Sequence, residues 1–388
     1  MNKKPTLVFI TSRFPYPLEK GDKLRAFHLI QGLSSYFNIH LLALTEETVR
    51  PQWIKQLSSF TEQVSIYKLH RYRIFLRLMV NILSSRPFQT AYFTDFFIQR
   101  RVLKKLHEIK PDHIFCQMIR PAEYVKHYHY CHKTLDYMDL LSLGMERRKK
   151  HMRGLKKFLF EAESYRLNEY EQRIFNYFEH HLMISQQDAN GLPFSHRNFI
   201  QVIPNGIDTE KFLPNPFIEP SFDLVFVGNL SYAPNVDAVQ WICKNILNRR
   251  PKLQALFAGA NPSSKLKAYI KTFNNAKMLG WQNEIQQVYA QGRIFIAPMQ
   301  IGTGMQNKLL EAMAMELPCI TTSLAAEAIP NCPVLVANTP EEILAAVDYL
   351  LSNPDDAKKL GSKGRAFVQR YYEWEVWSKK ISDLILLH

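Results

Sequence analysis

Short aliphatic and β-branched runs recur along this chain, each followed by a stretch with helical spacing. That rhythm limits the folds open to it. In the first half the runs cover residues 6–11, 39–44, 64–67, 113–116, 134–136 and 181–184. In the second they cover 223–228, 253–259, 294–298, 319–322 and 334–336. Strands that alternate with helices form parallel sheets covered on both faces, so the expected class is α/β. The sequence Val202-Ile203-Pro204-Asn205-Gly206-Ile207-Asp208, followed by Pro214 and Pro216, interrupts the rhythm and places a linker near residues 200–220. Pro-Asn-Gly reads as a turn, with Gly206 available for a left-handed position. A last amphipathic stretch begins at Tyr372-Glu373-Trp374. It either completes the second half or crosses back onto the first.

The chain is long enough, at 388 residues and 46% hydrophobic, to bury two or three cores, and no low-complexity tract suggests disorder. Lys3 and Lys4 precede an apolar run at 7–10 that is too short for a signal peptide and leads into Arg13, so a buried first strand is expected. No stretch reaches the roughly 18 apolar residues of a spanning helix. Cys116, Cys131, Cys243, Cys319 and Cys332 are odd in number and widely spaced, which fits a reducing cytoplasm rather than a disulfide framework.

Charge is unevenly placed. Residues 1–200 carry 31 Lys and Arg against 18 Asp and Glu, whereas residues 201–388 carry 18 against 17. An anionic partner of the first half is implied: membrane lipid, a phosphorylated acceptor or nucleic acid. Two stretches concentrate the cations. Residues 70–80 mix Arg71, Arg73 and Arg77 with bulky apolar residues, and residues 147–157 hold seven Lys or Arg without an acid. Either is a solvated face or a basic surface for anionic lipid; the second favours peripheral, salt-sensitive membrane contact. No nucleic-acid motif and no aromatics at stacking positions accompany them, so nucleic acid is not an expected partner.

The segment richest in chemistry is Gly302-Thr303-Gly304-Met305-Gln306-Asn307-Lys308-Leu309-Leu310-Glu311. A strand runs into a glycine loop that opens a helix, an arrangement suited to an anion near backbone N–H groups. Lys308 and Glu311 share a helix face with Gly304. A cation for a diphosphate and a carboxylate for a ribose diol would suit a nucleotide-sugar; an ordinary surface ion pair fits the composition as well.

Several segments, in order, resemble the retaining family 4 (group 1) glycosyltransferases. They are Val202 to Phe212, Phe226-Val227-Gly228, Leu279-Gly280-Trp281, residues 295–298, Leu310-Glu311-Ala312-Met313-Ala314 and residues 372–374. The similarity is strong over about 200–380 and weaker before. It implies the GT-B fold, two Rossmann-like parallel-sheet domains facing each other across a cleft. Residues 1–200 would form an acceptor-side domain and 201–372 a nucleotide-sugar-binding one, with a helix at about 373–388 packing back on the first.

The resemblance further implies metal-independent sugar transfer from a nucleotide-sugar donor to a glycan or lipid-linked acceptor in bacterial surface polysaccharide synthesis. The expected location is the cytoplasm, at the inner face of the membrane, and no cofactor is implied. Donor binding falls to Glu311, Gly302, Gly304, Met305 and Asn229, with Gly21, Lys23 and Arg25 from the loop after the first strand. Lys308, Thr303 and Gln117 are the catalytic candidates; Arg120, Asp136 and Asp139 are acceptor-side candidates, helix capping being the alternative role for the two aspartates. Two departures stand out. Thr303 replaces the first of the family's two carboxylates, and Asn229 and Asn235 replace its diphosphate-binding cations. A hydrolase or epimerase on the same fold, or a non-catalytic sugar-nucleotide-binding protein, is the alternative. No Asp-x-Asp sequence is present, and His127, His129, Cys131 and His132 match no zinc spacing, so no metal is expected.

Overall fold

A computed structural model describes residues 4–149, 153–301 and 305–387, with the side chains of Arg147, Arg148, Leu155 and Phe194 excepted. The chain divides into two compact units, Met1–Pro204 with Trp377–His388, and Asn205–Val376. Each is a parallel sheet with helices on both faces.

The first unit holds seven strands: β1 (Thr6–Thr11), β2 (Asn38–Thr45), β3 (Gln63–Lys68), β4 (His113–Gln117), β5 (His132–Met138), β6 (His180–Met183) and β7 (Ile200–Val202). Their spatial order is β3-β2-β1-β4-β5-β6-β7, all parallel. Leu7 to Ile10 are wholly buried. That burial explains why the central strand reads as a continuous apolar run rather than an alternating one. Phe9 stacks on Phe115 of the neighbouring strand at 4.6 Å between ring centroids.

The second unit holds β8 (Phe222–Val227), β9 (Ala255–Ala258), β10 (Ala276–Leu279), β11 (Gly292–Ala297), β12 (Cys319–Thr321) and β13 (Leu335–Val336), in the order β10-β9-β8-β11-β12-β13. All eleven sequence-predicted strands are present, with ends shifted by a residue or two. Two were missed, β7 and β10. Both lie at sheet edges and are only three and four residues long, too short for an apolar run to announce them.

Segments far apart in sequence meet inside the second unit. The Ile207 N–H donates to the Tyr372 carbonyl at 2.6 Å, Thr209 bonds Glu373, and Arg365 donates to the carbonyls of Thr209, Phe212 and Ala314. This pinning changes the reason for Gly206. Among the described glycines a positive φ occurs at Gly154 and Gly259, not at Gly206. A Cβ on Gly206 would lie 2.7 Å from the Trp374 backbone, so close chain approach, not a left-handed turn, demands glycine there.

At the carboxyl edge of the second sheet Gly259 has φ +149°, and a Cβ there would lie 1.7 Å from the Gly228 carbonyl oxygen. Gly259→Ala should therefore cost about 2–3 kcal/mol through overpacking and backbone strain. The urea midpoint measures it, and an unshifted midpoint would contradict the close approach.

Candidate functional site

In the second unit the candidate site is built on the Asn307–Ala314 helix, which follows β11. Its buried face, including Leu309, Leu310, Ala312 and Met313, anchors it in the core and fixes where Lys308 and Glu311 emerge. Both are half-buried. The Lys308 Nζ donates to Asn235 Oδ1 at 2.6 Å and to Gln306 Oε1 at 3.0 Å, and lies 5.3 Å from the Phe226 ring centroid. Burial lowers its pKa to about 8, with Glu311 partly opposing the shift.

Glu311 accepts a 2.7 Å hydrogen bond from the hydroxyl of Tyr289. Tyr289 is wholly buried and also reaches the Lys308 carbonyl at 3.3 Å. Burial raises the Glu311 pKa, while Tyr289, Lys211 and Lys308 pull it back. Tyr289 escaped the sequence reading because it belongs to a different helix, Ile285–Tyr289, and matches no motif.

Asn235 is buried and works with both hands: its Oδ1 holds Lys308, and its Nδ2 donates to the Asn229 carbonyl at 2.9 Å. The Asn229 side chain is turned to Ser231, accepting from its N–H and hydroxyl. Met305 packs half-buried against the core. Gly302, Thr303 and Gly304 lie outside the described residues.

The first unit corrects several assignments. Arg25 and Asp136 are both sealed from solvent and form a two-point ion pair, Nε to Oδ2 at 2.7 Å and Nη2 to Oδ1 at 3.2 Å. A further Arg25 bond reaches the Pro204 carbonyl at 3.1 Å. Arg25 thus does not present its charge to a donor phosphate, and Asp136 does not present a carboxylate to an acceptor. Each neutralises the other. Gln117, also buried, donates to the Asp22 carbonyl at 2.9 Å, so its amide is a strut between β4 and the Gly21–Leu33 helix. Arg120 holds Gln89 and stacks over Phe93, whereas Asp139 is exposed. Gly21 opens its helix with no neighbour within 4 Å of a would-be Cβ.

Lys23 is buried, with its Nζ 3.4 Å from the Tyr16 carbonyl oxygen and 3.9 Å from Glu47. It lines a hollow of about 160 Å³ together with Arg13, Tyr16, Lys20, Glu46 and Trp53, at the carboxyl ends of β1 and β2. Open α/β sheets take ligands at that edge. Glu46, Tyr16 and Trp53 were not foreseen, since no motif marks them.

A larger cavity, about 780 Å³, lies at the opposite, amino edge, where His113 and His132 begin β4 and β5. Lys110 and Asp112 share its lining with two groups held neutral: burial lowers His113 to about 3 and pushes the Cys131 thiol up to about 12. Among the described residues no three His, Cys, Asp or Glu side chains cluster as a metal site. In the basic stretch at 147–157, Lys149 bridges Glu146 at 2.7 Å and Glu161 at 3.3 Å, while residues 150–152 lie outside the described residues.

The family model described as glycosyl transferases group 1 matches residues 221–353, the span that carries this site. The second unit is a group 1 glycosyltransferase domain. Over 145 residues the chain is 30% identical to the Escherichia coli UDP-Gal:alpha-D-GlcNAc-diphosphoundecaprenol alpha-1,3-galactosyltransferase, an alignment covering 32% of this chain and only 37% of that enzyme. An uncharacterized 44.6 kDa protein in the cps region of Klebsiella pneumoniae is 23% identical over 98% of both chains. Among solved structures, Anabaena HepE in complex with UDP superposes with a TM-score of 0.66 at 12% identity, covering 99% of this chain and all of that one. The glycosyltransferase domain and the unit before it together have the GT-B fold.

Asp136→Ala would leave the Arg25 guanidinium buried without a counter-charge. Loss of about 3–5 kcal/mol of stability is expected, read from denaturant unfolding. A variant as stable as the parent would return Asp136 to the acceptor-side candidates.

Proposed function

We propose that the protein is a retaining, metal-independent glycosyltransferase that moves a sugar from a nucleotide-sugar donor to a glycan or lipid-linked acceptor in bacterial surface polysaccharide synthesis. The observation that carries this reading is the Lys308–Glu311 pair on the Asn307–Ala314 helix of a domain matched by the glycosyltransferase family. The name of the E. coli relative specifies a UDP-sugar donor and a diphosphoundecaprenol-linked acceptor, and the K. pneumoniae relative is encoded in a cps region. The reaction would take place on the cytoplasmic face of the membrane.

In this reading Glu311, oriented by Tyr289, accepts hydrogen bonds from the donor ribose. Lys308 faces the diphosphate, and exchanging its amide partners Asn235 and Gln306 for phosphate oxygens returns full charge pairing to a half-buried cation. As the bond from the anomeric carbon to the diphosphate oxygen breaks, the acceptor oxygen bonds the same face of that carbon. The departing phosphate oxygen takes the acceptor's proton. No protein nucleophile is needed; the domain positions the reactants and stabilises charge on the leaving group. Gly302, Gly304 and Met305 would supply backbone near the diphosphate, with Thr303 beside it. The hollow holding Lys23, read from sequence as a donor-binding residue, is instead the natural place on the acceptor side for a hydroxyl-bearing substrate.

The direct test is nucleoside diphosphate release from a panel of nucleotide-sugars, with and without lipid-linked acceptor, in the presence of a chelator. Acceptor-dependent release with retained anomeric configuration supports the proposal. Equal release without acceptor would make the protein a hydrolase.

Two residue-level outcomes follow. Glu311→Ala should lose about 2–3 kcal/mol of donor affinity, the worth of a charged hydrogen bond; unchanged affinity by calorimetry would remove Glu311 from the donor site. The Lys308 ammonium, at about 8, is the form that attracts a diphosphate. Donor kcat/KM should therefore be flat below pH 8 and fall as the amine deprotonates above it. Lys308→Arg stays charged through this range and should abolish the fall. An identical limb in the arginine variant would assign the titration to another group.

A further inference from the structure

The helix Arg71–Asn81 is turned inside out for a protein surrounded by water. Tyr72, Phe75, Leu76, Met79, Val80 and, just beyond the helix, Leu83 fall at spacings of three and four, and are between 47% and 96% exposed. The opposite face carries buried Ile74 and Asn81, and there Arg73 and Arg77 turn inward to Asp95 at 2.8 and 2.5 Å. A surface helix ordinarily places charge outside and apolar side chains inside. Here two half-buried arginines are held to Asp95 on the inner face and the outward stripe is apolar. The stripe extends sideways: the Arg73 guanidinium lies 4.4 Å from the ring centroid of Phe97, itself 62% exposed. A contiguous apolar surface of this kind marks an interaction site.

Charge identifies the occupant. Residues 70–86 contain four arginines and no acid; Arg73 and Arg77 share the buried Asp95 and Arg86 pairs with the buried Glu123, so cations still outnumber the acids they meet. Arg71 stands exposed at one end of the stripe, and at the other Arg86 is exposed while its guanidinium pairs with the buried Glu123 at 3.3 Å. An apolar face with cations at its ends suits the boundary between anionic headgroups and acyl chains. At 11 residues the helix is about 16 Å long, too short to cross a bilayer but long enough to lie in its surface. No helix among the described residues is long and apolar enough to cross a membrane.

We propose that this face inserts into the surface of a bilayer containing anionic lipid, with Phe75, Leu76, Met79 and Val80 at the acyl boundary and Arg71 at a lipid phosphate. Binding then has an apolar component that salt does not screen, unlike contact through residues 147–157 alone. The proposal is independent of the sugar-transfer reading, because binding requires neither donor nor acceptor.

The test is co-sedimentation of the full chain with phosphatidylcholine vesicles and with mixed phosphatidylcholine–phosphatidylglycerol vesicles, at low and high salt. The wild type should prefer mixed vesicles and retain part of its binding at high salt. The L76S/M79S/V80S variant should keep its unfolding midpoint, since these side chains are exposed, and lose at least ~100-fold in partitioning. Phe217→Ser, which removes an exposed aromatic from the other unit, should bind like wild type. Undiminished binding of the triple variant overturns the proposal. So does absence of wild-type binding to either vesicle, and a concentration-dependent dimer abolished by the triple substitution would then assign the face to a second copy of the chain.

Discussion

The first unit is organised around a charge pair that never meets water. Arg25 comes from the Gly21–Leu33 helix and Asp136 from β5, and the guanidinium continues to the carbonyl of Pro204 at the end of the unit. Burying two charges is costly, and it is tolerated only where geometry and further hydrogen bonds satisfy both. The Asp136 carbonyl meanwhile accepts from the Met118 N–H, and its Oδ1 accepts from the Met138 N–H. Met118 and Met138 both have positive φ, at the carboxyl ends of β4 and β5. Backbone held in that region persists only when its surroundings over-determine it. The pair supplies that determination at the edge of the sheet where ligands are expected.

The second unit handles charge in the opposite way. Lys308 is also drawn out of water, but its hydrogen-bond partners among the described residues are neutral groups, the amide oxygens of Asn235 and Gln306 and the sulfur of Met299. Neutral partners orient a cation without cancelling it. The lowered pKa is the cost of that arrangement and also its consequence for chemistry, because an arriving anion finds an incompletely compensated charge. Asparagine at 235, where the family resemblance led one to expect a cation, thus becomes intelligible: a second ammonium at that distance from Lys308 would repel it. The two units illustrate one rule, that a fully matched buried charge supports a fold and a partly matched one remains available to a ligand.

What the sequence made legible depended on how local the signal was. Buried central strands announced themselves as unbroken apolar runs, while β7 and β10, short and at the edges, did not. Lys308 and Glu311 were found because they sit three apart on one helix and inside a recognisable segment. Tyr289, which orients Glu311, lies on another helix, and no spacing rule connects them. Arg25 and Asp136 were read as ligand-facing because each lies next to a promising loop or strand end. Their pairing spans 111 positions and is visible only in three dimensions. Residues 70–80 were read as cations mixed with bulky apolar residues, yet periodicity alone does not say which face points to the core.

That last ambiguity bears on how charge counts are interpreted. The first half's excess of cations suggests a uniformly basic surface, but many of these cations are buried or already paired with an acid. Arg25 is matched by Asp136, Arg73 and Arg77 by Asp95, Lys126 by Glu123, and Lys133 is buried with its Nζ on the Tyr128 carbonyl. Lys149 in the densest run is held between two glutamates. What reaches a partner is the remainder, and its placement matters more than its sum. Around the Arg71–Asn81 helix, the arginines drawn inward leave an apolar stripe with cations at its ends. Exposed ion pairs and long-range fields fade over about one Debye length. Apolar contact does not fade, so a surface that combines the two can hold to a charged interface at ionic strengths where a merely basic one would let go.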